Sequence, residues 1–466
     1  MTDLAFIGIA RAAELIRTKA LSPVEYTRAL LDRIGRIDGR LHAFLSVSAD
    51  SALVAAREAE REIMAGTYRG PLHGVPFALK DIIDAAGLPT TAHSRLLREN
   101  VAAEDAAVTS RLRAAGAVLL GKLSTHEFAI GGPSFDLPWP PAVNPWGTRR
   151  FPGGSSSGSG VAVAAGMVPA SIGTDTAGSI RNPASMCGVT GMKPTYGLVS
   201  RRGVFPLAYS LDHVGPITRS VADNALVLQA IAGHDPEDPA SASVPVPDYS
   251  ADLDRGVTGV RIGLVRHFYT EDAEPAHEEQ IAAIDAAVAV LRDLGAEVRD
   301  VRLPPLSDFA TCARIILTAE AFAIHRGWLA TRADEYGELA RARILEGAGV
   351  TAADYIDAQR LRARLCRLTQ DAMADVDVCV TASSFDPPCA IDDPAAIARA
   401  YPRQARQPFN VTGQPAIAIP CGFTKDGLPL SVQIVGHPFE EATVYRVAHA
   451  YERATRWSDR HPPCDA

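Results

Sequence analysis

The 466-residue chain carries a formal net charge of -8, with 47% hydrophobic and 21% charged residues. That is ordinary globular usage, with ample length for a large core. No basic run is long enough to track a phosphate backbone, which argues against nucleic-acid binding, and no stretch reaches the ~20 apolar residues of a membrane span. The segment from Met1 to Ala10 is apolar but lacks a basic n-region and a cleavage site. The seven cysteines (Cys187, Cys312, Cys366, Cys379, Cys389, Cys421, Cys464) are scattered, with no C-x-x-C pair, and read as reduced packing thiols in a cytoplasmic protein.

Taken in chain order, Ser22-Pro-Val-Glu25 reads as a capping box with proline at the first helical position. The helix it opens turns Leu30, Leu31, Ile34 and Ile37 inward. A second helix is predicted over 49–64. Residues Val75 to Asp81 form a short, mostly apolar strand pattern ending in charge, which sends Lys80 from the sheet edge into the interior or a cleft. Desolvation there favours the neutral amine, which can act as a base; the alternative is a surface lysine paired with Asp81. A third helix covers 106–115, stopped by Gly116 and followed by a strand from Ala117 to Leu120. Leu137 to Trp146 is a rigid proline-rich loop, and Val161 to Ala165 a small-residue helix suited to close packing. Buried strands are expected at Arg261 to Val265 and Val376 to Val380, with a long helix between them over 278–294. Residues 308–375 are almost wholly helical in pattern.

Two serine clusters in small-residue loops carry the chemistry: Gly153-Gly-Ser-Ser-Ser-Gly-Ser-Gly160 and Gly173-Thr-Asp-Thr-Ala-Gly-Ser-Ile-Arg-Asn-Pro-Ala184. They offer exposed hydroxyls and free backbone N–H groups, the materials of covalent acyl transfer. The usual partner of such a serine is a histidine base. His73, His126 and His213, however, sit in settings that read as turns or surface.

These motifs, with Gly74-Val-Pro-Phe-Ala-Leu-Lys-Asp81, Gly188 to Gly197, Asp212-His-Val-Gly-Pro216, Phe409 to Ala416 and Gly427 to Gly436, resemble the amidase signature family in the same order. The resemblance runs from about Leu21 to about Tyr451. It implies an α/β fold, a large mixed, twisted β-sheet core surrounded by α-helices. It also implies one domain over 1–466, although length alone suggests about three. The signature core would span 66–225, and a helical insertion over 308–375 would form the rim of the substrate pocket. Ile315, Leu317, Phe322 and Tyr355 are candidates to line that rim, with plain core packing as the alternative.

Residue by residue, the resemblance places the base at Lys80, the bridging serine at Ser155 with a cis Gly154–Ser155 bond, and the nucleophile at Ser179. The oxyanion hole falls on the backbone of Thr176, Ala177, Gly178 and Ser179, where Ala177 replaces the glycine the family commonly has. Asp175 and Arg181 become a pair that fixes the loop, and Ser156 a supporting residue. Phe128, Ile130, Gly131 and Gly132 become substrate contacts. No metal and no cofactor are called for.

Three functional readings result. The first is a stand-alone, serine-dependent hydrolase of amides, extending to aryl amides, carbamates (urethanes) or esters. Its partners would be a small-molecule amide or carbamate substrate, no nucleic acid and no membrane, with a possible homodimer. The second is the glutaminase subunit of a tRNA-dependent amidotransferase, and the third a non-catalytic scaffold, against which the intact Lys80, Ser155 and Ser179 argue.

Overall fold

The computed structural model describes residues 4–271 and 274–464; the first three residues of the apolar N-terminal segment lie outside them. Among the described residues eleven strands are interspersed with helices: β1 (Phe44–Val47), β2 (Pro76–Lys80), β3 (Val118–Leu123), β4 (Ala170–Asp175), β5 (Thr190–Lys193), β6 (His213–Thr218), β7 (Arg261–Leu264), β8 (Glu297–Asp300), β9 (Val378–Ala382), β10 (Ala416–Phe423) and β11 (Pro429–Gly436). They form one sheet in the order β1-β3-β2-β4-β6-β5-β10-β11-β9-β7-β8. The sheet is mixed. β2 runs parallel to both β3 and β4, and β7 parallel to β8 and β9, while the centre from β4 through β6, β5, β10 and β11 to β9 is antiparallel. The fold is α/β, with helices packed on this sheet.

Strands β2, β3, β4, β5, β6, β9 and β11 are buried along their whole length. This is why their sequences read as apolar or small-residue runs without alternation. The run of residues from Val161 was too small and too apolar to show where its helix begins: it spans Ser157–Ala164 and starts inside the serine loop, every residue buried. Helix Pro23–Leu41 opens on Ser22, whose hydroxyl accepts from the Val24 and Glu25 N–H groups. It buries Leu30, Ile34 and Ile37, leaving Leu31 only partly covered. Helices Ala49–Met64, Ala107–Ala114 and Glu278–Asp293 lie where periodicity put them. The predicted strand from Ala117 runs further, through Gly121 and Lys122 to Leu123. Strand β9 begins at Val378, later than the apolar run from Val376 suggested. Between 306 and 373 the chain forms helices Leu306–Thr331, Glu338–Leu345 and Ala352–Met373. Among the described residues no helix is long and apolar enough to cross a membrane.

The pairing of β2 with β4 is what creates a crevice. Being parallel neighbours, with Leu79 opposite Ile172, they end side by side. Lys80 is the last residue of one and Asp175 of the other, so both carboxyl ends open into the same cleft, where open α/β sheets bind their ligands.

Candidate active site

Lys80 is fully buried, and its Nζ donates to Ser155 Oγ and Thr174 Oγ1, each at 2.8 Å. The alternative of a surface lysine paired with Asp81 is therefore wrong. Asp81 instead pairs with Lys122 at 2.9 Å, both side chains buried. With only hydroxyls as bonding partners, Lys80 pays the desolvation of its charge, and burial lowers its pKa to about 7 against the weaker upward pull of Asp212 and Asp175. Asp212 is itself pushed up to about 6 by burial, although Thr176 Oγ1 donates to it.

The Gly154–Ser155 peptide bond is cis. Asn182 Oδ1 accepts from the Gly154 N–H at 2.9 Å, and the Ser156 N–H donates to the Ser179 carbonyl at 3.2 Å. These two bonds tie both serine loops together. Ser156 also stitches the first loop to β4, its hydroxyl bonding the Thr174 carbonyl at 3.1 Å and lying 3.3 Å from the Thr174 N–H. Ser155 and Ser179 are both buried, Ser179 with 6% of its surface exposed.

Asp175 organises the second loop. Its carboxylate meets the Arg181 guanidinium at 2.9 Å and 3.0 Å, both side chains without solvent exposure. It also accepts from the N–H groups of Gly178 (2.7 Å) and Ile180 (3.1 Å) and from Asn410 Nδ2 (2.8 Å). Burial alone would raise its pKa, but Arg181 overrides this and holds it far below the usual carboxylate range. One expectation is corrected here: the Gly178 N–H, assigned to the oxyanion hole, is occupied by Asp175. The departure at Ala177 is tolerated because the backbone demand falls one residue later, on Gly178 with φ 127°. A Cβ on Gly178 would also meet Arg406 Nε at 2.4 Å.

The histidine reading is corrected as well. His73, His126 and His213 are all buried, so none is a surface residue; His73 does lie in a turn, while His213 opens strand β6. His73 accepts from the Arg69 N–H and faces Glu62. His213 Nδ1 lies 2.7 Å from the Leu211 carbonyl and 3.1 Å from that of Asp175. His126 lies so close to the bridging loop that a Cβ on Gly154 would sit 2.1 Å from its ring. Burial, with Lys80 nearby, drops its pKa to about 3, so it stays neutral. Its Nε2 has no hydrogen-bond partner among the described residues.

Phe128, an expected substrate contact, is fully buried. Its ring packs with Phe205, His325, Trp328 and Tyr336 at centroid distances of 4.5 to 6.1 Å. Ile130 and Gly131 are half-buried, with Gly131 and Gly132 against Leu339 and Ala340. A cavity of about 730 Å³ reaches Thr174 and Asp212 and is walled by Phe205, Glu320 and Tyr355. Of the rim candidates only Tyr355 reaches it; Ile315, Leu317 and Phe322 pack against the core. Sequence reasoning missed Thr174, Asn182, Asn410 and Arg406. The first was visible as a hydroxyl at the end of a buried strand, whereas the last two lie 229 and 225 residues from Arg181, which they help to hold.

With this geometry the comparisons agree. The Amidase family pattern matches residues 25–445, and the chain belongs to the amidase signature family. It is 41% identical to the A subunit of glutamyl-tRNA(Gln) amidotransferase from Chloroflexus aggregans, over 99% of each chain. Among solved structures it resembles the peptide amidase of Stenotrophomonas maltophilia (34% identity, TM-score 0.86, 98% of each chain). It also resembles the A subunit of glutamyl-tRNA(Gln) amidotransferase from Thermotoga maritima (33% identity, TM-score 0.80, 97% of this chain and 96% of that one).

These relatives overturn the first functional reading. Proteins alike along their whole length and at this identity are named as one subunit of an enzyme with a tRNA in its name. That is at odds with a stand-alone hydrolase of amides or carbamates. It is equally at odds with a partner set of a small molecule, no nucleic acid and at most a second copy. The negative charge that suggested the latter belongs to one chain, and a subunit's charge does not fix what its assembly binds.

Proposed function

We propose that this chain is the glutaminase subunit of a tRNA-dependent amidotransferase, freeing ammonia from an amide for use by partner chains. The observation that carries the reading is the buried chain from Lys80 to Ser155 beside Ser179, in a protein alike over its full length to subunits of that name.

In this reading neutral Lys80 takes the Ser155 proton and Ser155 takes that of Ser179, whose Oγ attacks the amide carbon. The oxyanion is held by N–H groups of Thr176, Ala177 and Ser179, each such donor contributing on the order of 10²–10³ in rate. Asp175 and Arg181 hold the loop in shape and take no part in proton transfer. The proton returns through Ser155 to the departing nitrogen, ammonia leaves, and water cleaves the Ser179 ester to give the acid. Ile130, Gly131 and Gly132 form the substrate-facing wall, and the helices over 308–375 contribute its rim. The net charge of -8 leaves the work of holding a polyanion mainly to partners.

The test is to purify the tagged chain from its own host with its associated chains and assay glutamine with and without tRNA-bound glutamate. Co-purifying chains and Ser179-dependent transfer of the amide nitrogen to that glutamate are expected. A chain that arrives alone and leaves glutamine untouched would sink the proposal.

A further inference from the structure

Tyr401 follows the short helix Pro394–Ala400, which buries none of its residues. The tyrosine itself turns inward. Its ring lies 6.2 Å from that of His126 and 6.0 Å, nearly perpendicular, from that of Phe151. Its hydroxyl donates to the Gly154 carbonyl at 3.2 Å, in the loop whose Ser156 N–H bonds the Ser179 carbonyl, and the Arg406 guanidinium and the Ser179 hydroxyl both act on it.

A phenol has one hydrogen to give and lone pairs with which to accept. Here the hydrogen is spent on the Gly154 carbonyl, so what Tyr401 turns toward the nucleophile is an acceptor. Burial raises its pKa, which keeps the O–H intact at neutral pH and the polarity of the pair fixed. A scissile group arriving at Ser179 brings either an amide nitrogen, which carries N–H donors, or an ester oxygen, which carries none. Only the first satisfies that acceptor.

We propose that Tyr401 is a specificity-determining residue that accepts a hydrogen bond from the N–H of the scissile amide and so selects amides over esters. The same bond turns the nitrogen so that its lone pair is free to receive the proton that Ser155 returns. The inference rests on the reading of Ser179 as the nucleophile of amide cleavage. A site built around a substrate hydrogen bond discriminates strongly against analogues lacking the group, because its own polar atom is then left unpaired.

The experiment compares wild type with Tyr401→Phe, each purified with its associated chains, on two pairs of substrates: glutamine with glutamate γ-methyl ester, and butyramide with methyl butyrate. The ratio of amide to ester kcat/KM is expected to fall roughly tenfold or more in the variant, with ester turnover within about threefold of wild type. Labelling of Ser179 by a phosphonofluoridate at an unchanged rate would show that the nucleophile is still in place. An equal loss on amide and ester, an unchanged ratio, or a wild type that cleaves neither amide would overturn the proposal. A wild type that cleaves butyramide but not glutamine would overturn the glutaminase reading instead, and the butyramide pair would then decide Tyr401.

Discussion

The floor and the roof of this site are built differently. Beneath the substrate, β2, β4 and the two serine loops are buried at nearly every residue, and Asp175 alone gathers backbone, guanidinium and amide donors onto its two oxygens. Above it, the helices of 306–373 and the segment after β9 mix buried with half-covered residues and add arginine–carboxylate pairs open to solvent, such as Arg399 with Glu274 and Arg332 with Glu335. The proposed proton relay through three side chains would need a geometry that does not give, whereas recognition is free to vary from one substrate to another. The contrast teaches that burial is concentrated around the residues of the proposed relay.

The sharpest way to break this contrast is at its centre. Ser179→Ala is expected to abolish amide turnover and phosphonofluoridate labelling, with losses on the order of 10⁶ as for other serine nucleophiles; near-normal turnover would refute the assignment. Lys80→Met should cost about 10²–10⁴ in kcat, read by steady-state kinetics beside wild type. In wild type the base works only when deprotonated, and burial places that transition near pH 7. The kcat/KM profile should therefore fall about tenfold per pH unit below 7, and full activity at pH 5 would refute a neutral lysine. Arg181→Ala strips a buried carboxylate of its partner and is expected to cost about 3–5 kcal/mol of stability, measurable by denaturant unfolding. At the far end, Arg399→Ala at the solvent-exposed roof should leave both the unfolding midpoint and kcat unchanged within error. A large effect there would mean that the roof is not the loosely held element it looks.

Legibility followed the same division. Lys80, Ser155 and Ser179 were placed by the resemblance of their short motifs to the amidase signature family, and the structure brings Lys80 onto Ser155; helices with wide apolar faces, such as Pro23–Leu41, show their period directly. The central strands β5, β6, β10 and β11 gave no clean signal, since strands buried on both faces lose the alternation that marks an exposed sheet. His126 misled for a related reason. A lone histidine beside Glu127 looks solvated, and nothing local reveals that Gly154 lets the ring pack against the bridging loop. Tyr401 and Arg406 were invisible because their importance lies in contacts made across 247 and 225 positions of sequence, which no spacing rule reports.

The reach of Arg181 has a consequence in time. Its guanidinium bonds the Arg406 carbonyl, Asn410 and Gln433, which follow it by 225, 229 and 252 positions. While the ribosome is still adding those residues, the loop bearing Ser179 has emerged but lacks the contacts that set it. The loop around Ser179 therefore cannot take its final shape until residues 225 to 252 positions beyond Arg181 have been added.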